Sequence, residues 1–410
     1  MTPQQAPAAG RARGNASRPP LTGITVLDLT RLLPGPVAGM HLADLGADVI
    51  KIEDTGLGDY AAAPVRTLVN RNKRGIRLNL KTPEGVRVLL DLCATADVLI
   101  EGFRPGVMAR LGVDYAAVRA RNPAMVYCSI SGYGQTGALS QEPGHDLNYC
   151  SLTGVADQIG TPGAAPALSN LPLADLLGGS MVAIMGILSA LFDSARTGQG
   201  RHVDIAIADG VLAHAMLPLA AVNEQGRAPA TGDAKLTGAL PCYALYPTRD
   251  GRYLAVAALE HKFWAAFCRA VDRHDLIELH RTRHDPCNAW VRQQLEQLIA
   301  AHDLAWWRDR LAGAQCCVTP VLRLHEVLDD PHFVARGMLR PAGAPAGGLP
   351  PGEPALRNAA RLGCPVQMTG FCFDIRRPAP APGEHTDEVL GRLGYGPVRL
   401  DALRKAGAVA

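Results

Sequence analysis

Between residues 24 and 131, short apolar runs alternate with helix-forming stretches, and this alternation limits the fold more than any other feature of the chain. "ITVLDL" is followed by "GPVAGMHLADLG", which closes on Gly46; "ADVIKIE", "IRLNL", "DVLIEGF" and "MVYCSIS" repeat the apolar pattern. Runs that are apolar on both faces suit strands covered on both sides, and helical connections between them predict a parallel sheet. Thr82 and Pro83 supply an N-cap and a first-turn proline for a helix over "EGVRVLLDLCATA". The first strand-to-helix turn, "TRLLPGPVAG", lacks the GxGxxG of dinucleotide sites, and no GxxxxGK[ST] occurs. The fold class is therefore α/β, with a Rossmann-like parallel sheet, and fold alone assigns no activity.

Beyond this region the pattern changes. The run "LGGSMVAIMGILSALF" (177–192) lies between Asp175 and Asp193 and is short for a membrane span, so it is expected to be a buried core helix. "HVDIAIA" gives another strand, and "RAPATGDAKLTGAL" is a polar connector. "CYALYPT" and "RYLAVAAL" flank Asp250-Gly251 as a hairpin. Helices near 260–271, 287–301 and 304–312 follow, then the strand "CCVTPVL". The expected organisation is a disordered leader (1–20), a large Rossmann-like domain (21–225), a linker (226–240), a small α+β domain (241–335) and a strap with helices returning to the large domain (336–410).

The net charge of +3 is too small to point to nucleic acid or an acidic membrane surface as a partner. Ten cysteines without a CxxC, and no secretory leader, read as buried thiols of a cytoplasmic protein. HExxH and paired Cys/His spacings are absent, so no metal is expected.

Three acid-base residues stand where local structure favours chemistry. His145 follows Gly144 ahead of "DLNYCSLTGVADQ", a helix whose first N–H groups point outward. Asp175 precedes "LLGGSM", where Gly178 and Gly179 permit a ligand to come close, and Glu260 starts "HKFWAAF". Each carboxylate has a structural alternative: an N-cap for Asp175, a first-turn dipole partner for Glu260. The basic segment "NRNKRGIRLNLK" (70–81) and Arg104 flank strands whose carboxyl ends converge in a doubly wound sheet. Cations there suit a phosphorylated small molecule.

The segments "GITVLDLTRLLPGPVAGMHLADLGADVIKIE", "NRNKRGIRLNLK", "DVLIEGFRPGVMARLG", "SGYGQTG", "GHDLNY" and "PGEHTDEVL" resemble the family III CoA-transferase (CaiB/BaiF) group, which includes the α-methylacyl-CoA racemases. The resemblance covers about residues 21 to 400. It implies two domains and two chains interlocked as a homodimer. "GHDLNY" looks like the racemase branch, so His145 and Asp175 would be the two catalytic bases, with Glu260 reaching the histidine of the other subunit. The resemblance places an acyl-CoA thioester on Leu78, Asn79, Leu80, Lys81, Ala96, Asp97, Val98, Arg104, Gly144, Asp146, Leu147, Asn148 and Tyr149. Where racemases often carry a CoA-binding arginine after the second strand, this chain has Asp54, and Lys51, Lys73 or Arg74 would compensate. No cofactor is implied, because coenzyme A is part of the substrate.

Inverting a thioester α-carbon needs a base on one face and an acid on the other, which His145 and Asp175 would supply. Backbone N–H groups after His145 would hold the enolate oxygen. Transferase members of the group instead use the aspartate matching Asp175 as a nucleophile. A non-catalytic acyl-CoA binding protein is a third reading.

Overall fold

The computed structural model describes residues 18–56, 62–280, 285–328, 330–340 and 361–410. Most of the expected leader and the Pro/Gly-rich part of the strap lie outside the described residues. Six strands, β1 (Thr25–Asp28), β2 (Asp48–Glu53), β3 (Lys73–Arg77), β4 (Val98–Glu101), β5 (Val126–Ser131) and β6 (His202–Ala206), form one sheet in the order β3-β2-β1-β4-β5-β6. β1 pairs in parallel with both β2 and β4, so the strand order reverses beside β1. Val26, Leu27, Val49, Val98 and Leu99 are buried on both faces, as the uninterrupted apolar runs require. Thr82 caps the helix Pro83–Cys93 by accepting the Gly85 N–H at 3.1 Å.

A buried ionic knot joins the first three strands. Asp28, Lys51 and Lys73 are each fully buried; Lys73 Nζ reaches Asp28 Oδ2 at 2.8 Å, and Lys51 stands 4.0 Å from the other carboxylate oxygen. Lys73 also donates to the Pro36 carbonyl and to Asn70 Oδ1, while Lys51 donates to the Thr30 carbonyl. Burial alone would raise the Asp28 pKa, but the two ammonium groups outweigh it and hold the carboxyl below its ordinary value. The helix Pro34–Asp44 crosses this knot at Gly39, where a Cβ would lie 2.8 Å from Asp28 Oδ2.

The chain divides into two compact units: residues 1–131, 180–205 and 337–410, and residues 132–179 and 206–336. Segments 132–179 and 206–225, expected within the large domain, therefore group with the hairpin region. The helices Asp146–Leu152 and Ile207–Ala213 pack on each other in this second unit. In the first unit, the carboxyl-terminal segment returns to the sheet: the His385 N–H donates to the Gly75 carbonyl, and Arg74 pairs with Glu388.

The second unit holds a three-stranded antiparallel sheet of β7 (Tyr243–Pro247), β8 (Tyr253–Ala257) and β9 (Val318–Pro320). The hairpin turns at Gly251, whose φ of +69° favours glycine. Helices His261–Ala270, Cys287–Ile299 and Leu304–Arg310 cover it. The buried indole N–H groups of Trp264 and Trp307 donate to the Leu276 and Ile299 carbonyls.

Two expectations are corrected here. The apolar run 177–192 is buried on one face only: Ala183, Ile184, Ile187 and Ala190 are inside, but Met185 and Phe192 are 63% and 67% exposed. By length and composition alone, Ala174–Thr197 would suffice to cross a membrane. The cysteines are all free, but Cys287, Cys317 and Cys372 are exposed.

Replacing Asp28 with Asn removes the buried carboxylate that Lys51 and Lys73 share. The expected cost is about 3–5 kcal/mol, read from the urea midpoint. Because the folded pKa of Asp28 is depressed, its contribution is present above the ordinary carboxylate pKa and is lost as pH falls through the depressed value. The Asn variant should lose that part of the acid dependence. A midpoint and an acid limb both unchanged would contradict the knot's role.

Candidate active site

The segment Gly144–Tyr149 is a turn locked onto a short helix. His145 is extended (φ −129°, ψ 174°) immediately before the helix Asp146–Leu152, and its backbone N–H donates to Asn148 Oδ1 at 3.0 Å. The Tyr149 hydroxyl donates back to the Gly144 carbonyl at 2.5 Å. Its buried ring lies against Gly132 and Gly144, where a Cβ at either position would come within 2.6 Å of ring atoms. Tyr133 meets that ring edge-on at 5.2 Å. These contacts fix the backbone of His145 while its side chain stays exposed.

Asp146 links this turn to the second acid-base residue. Its Oδ1 accepts the backbone N–H of Asp175 at 3.0 Å, tying the start of the Asp146–Leu152 helix to the π-helix Ala174–Met181. Wide turns of this kind are frequent at functional sites. Asp175 is partly buried, and burial followed by the Asp146 charge pushes its carboxyl up to about 6, while the His145 charge pulls it down. The imidazole and the carboxyl thus lie within each other's field. Asp175 is inside the first turn of its helix, not at the N-cap position.

Gly178 has a different use from the one its sequence suggested. A Cβ there would stand 2.4 Å from the Ile207 carbonyl oxygen, and one on Gly210 would stand 2.3 Å from the Gly178 oxygen. The glycines admit a neighbouring helix backbone and leave no gap for a ligand. Glu260 is exposed at the N-cap position of His261–Ala270, but its side chain caps nothing. Within the chain, it makes no bond to His145 among the described residues.

A separate cleft of about 470 Å³ opens in the first unit at the carboxyl ends of β1 to β4. Arg31, Asp54, Asn79, Leu80, Lys81 and Phe103 line it. Doubly wound sheets bind ligands in such a crevice. Leu78 also borders it, though it is almost wholly buried, and Arg104 is exposed in the turn after β4.

The other expected phosphate contacts are corrected by burial. Lys51 and Lys73 belong to the Asp28 knot. Arg74 is buried and is held by Asp48 at 2.6 Å and Glu388 at 3.0 Å. All three side chains are buried, and so none of them presents its cation at the surface of the cleft. Ala96, Asp97 and Val98 lie at the amino end of β4, on the edge of the sheet away from the cleft. There the Asp97 carboxylate accepts the Thr25 N–H at 2.7 Å, and Val98 is fully buried. Ala96 and Asp97 border another cavity, of about 340 Å³, with Asn122 and Ser194. The cleft residues that the sequence argument missed are Arg31 and Phe103. Their signal is position, since each comes one to three residues beyond the carboxyl end of a strand.

The model of CoA-transferase family III matches residues 21–386. The chain is 34% identical to a mouse α-methylacyl-CoA racemase (Mus musculus), with 92% of this chain and 93% of that protein covered. It is 31% identical to a succinate–glutarate CoA-transferase of Agrobacterium fabrum, over 92% of this chain and 96% of that protein. A crystal structure of a CaiB/BaiF family protein from Brucella suis superposes with a TM-score of 0.78 at 27% identity, covering 92% of this chain and all of that one.

Proposed function

This chain belongs to CoA-transferase family III, and we propose that it epimerises 2-methyl-branched acyl-CoA thioesters by moving the α-proton between His145 and Asp175. The observation that carries this reading is the Asp146 bond to the Asp175 N–H, which holds an exposed imidazole beside a carboxyl whose pKa is raised to about 6. The α-proton of a thioester is weakly acidic. One group removes it as a base, the thioester becomes an enolate, and the other group returns a proton to the opposite face. Such exchange is most efficient when the pKa lies near the working pH. A pair that holds one proton between its two members is ready for either direction. The scheme is redox-neutral and draws on no cofactor beyond the coenzyme A of the substrate. The branched acyl group is suggested by the racemase relative alone.

Within the first unit, the strand-end cleft lined by Lys81 is proposed to take the nucleotide end of an acyl-CoA, and Arg104 stands exposed in the turn after β4. We also propose an interlocked homodimer in which Glu260 of one chain orients His145 of the other. Helix Met216–Gln225 supports this, because it buries no residue and leaves Met216 and Leu217 65% and 66% exposed. Unpartnered apolar surface of that kind marks an interface. A reducing cytoplasm suits ten free cysteines.

The transferase relative favours a second reading. There the Asp175 carboxylate attacks the thioester carbonyl and expels the CoA thiolate, and His145 has no part. A raised carboxyl pKa serves proton exchange better than it serves a nucleophile, which must be ionised to attack. That preference is the reason for placing epimerisation first. Simple acyl-CoA binding would require no tuned carboxyl.

His145→Ala separates the two chemistries. In the epimerase reading it removes one of two proton-transfer groups, and turnover should fall about 10²- to 10⁴-fold. If this variant still moves CoA between carboxylic acids at the wild-type rate, with hydroxylamine trapping an acylated or thioesterified Asp175, the epimerase reading is wrong.

A second expectation concerns pH. The kcat/KM profile should fall on its acid side as Asp175 takes up a proton, because the carboxyl must be ionised to act as a base. Asp146→Asn keeps an oxygen acceptor for the Asp175 N–H but removes the charge that, after burial, raises the Asp175 pKa. The acid limb should therefore move to lower pH. A limb that stays in place would show that Asp175 does not titrate in it.

A further inference from the structure

The strand order β3-β2-β1-β4-β5-β6 fixes what the first residue after β2 can do. In nucleotide-binding sheets of this order, the region beyond β2 lies beside the ribose. An acid there accepts bonds from free ribose hydroxyls, whereas a phosphorylated ribose is met by arginine. Here the residue that follows Glu53, the last of β2, is Asp54.

Its carboxylate is held in place. Oδ1 accepts the Gly56 N–H at 2.8 Å, and Arg77 donates to the carbonyls of Asp54, Thr55 and Gly56, which fixes the turn. On the other oxygen, Arg31 forms an ion pair at 2.6 Å. Arg31 arrives from the end of β1 and lies over the Phe103 ring at 5.5 Å. Both members of the pair line the cleft and remain about one-third exposed, at 29% and 33% of their side-chain surface. The neighbouring Glu53 is committed to Arg66.

Coenzyme A carries a phosphate on the 3′-oxygen of its ribose. Placed in this cleft, that group meets a carboxylate already paired with the nearest arginine. To bind the phosphate, Arg31 must share or leave Asp54, and the carboxylate then faces a phosphate of the same sign. A free 3′-hydroxyl donates to Asp54 and leaves the ion pair intact.

We propose that the Arg31–Asp54 pair makes this cleft accept thioesters of 3′-dephospho-coenzyme A at least as readily as those of coenzyme A. This rests on the reading that the cleft takes the nucleotide end of an acyl-CoA.

Calorimetric titration of the full chain with coenzyme A and with 3′-dephospho-coenzyme A, at one ionic strength, tests it. The wild type should bind the two within about threefold of each other, and Asp54→Asn should shift the ratio toward coenzyme A by about tenfold, the size of one charge-assisted hydrogen bond. Arg31→Ala should shift it the other way, because the phosphate then meets the Asp54 carboxylate without the Arg31 charge. A wild type that prefers coenzyme A by more than about threefold, or a ratio that neither variant moves, overturns the proposal while leaving the cleft a nucleotide site. Failure of both ligands to bind overturns the reading of the cleft itself.

Discussion

The carboxylate of Asp28, sealed from water with Lys51 and Lys73, is the interaction on which the rest of the first unit depends. It ends β1, Lys51 is its register partner on β2, and Lys73 comes from β3. Buried ionic groups of this kind add little net stability relative to well-packed apolar replacements. What the knot does is tie the last residue of β1 to the interior of β2 and the first residue of β3. Thr30 donates through its backbone N–H and its hydroxyl to the same carboxylate, so the chain leaving β1 is held for two further residues. Arg31 follows directly. Its guanidinium is then held at the cleft by Asp54 and lies over the Phe103 ring.

The second unit uses polar contacts differently. Around Asp146 the aim is to tune a titrating group as well as to place it. One carboxylate oxygen of Asp146 anchors the Asp175 backbone, and the same negative charge adds to burial in raising the Asp175 pKa. Gly132 and Gly144 seat the Tyr149 ring, and the Tyr149 hydroxyl closes the turn that carries His145. A rigid backbone with an exposed imidazole is what a proton-transfer group requires, since reach depends on placement while access depends on exposure.

The sequence made the alternation of strands and helices legible, together with the Thr82 cap and the Asp250-Gly251 hairpin, because each rests on local periodicity or turn chemistry. His145 and Asp175 were legible as residues placed at helix starts. Their proximity was not, since it depends on a bond across twenty-nine positions. The basic segment 70–81 misled for a related reason. A run of Lys and Arg reads the same whether it faces solvent or, as at Lys73 and Arg74, meets acids 45, 26 and 314 residues away. Gly178 was read as leaving room for a ligand, but what comes close to it is the helix backbone near Ile207. The role of Arg31 was hidden because its meaning lies in the sheet order.

In the proposed epimerisation, two groups serve opposite faces of one thioester α-carbon. Its most direct test is to incubate the wild-type protein with a single epimer of a 2-methylacyl-CoA in deuterium oxide and follow both configuration and deuterium content at C2. The account predicts that inversion occurs and that the inverted product carries solvent deuterium at C2, while the CoA stays on its original acyl group. Transfer of CoA to an added carboxylic acid, with C2 retaining both its hydrogen and its configuration, would contradict it.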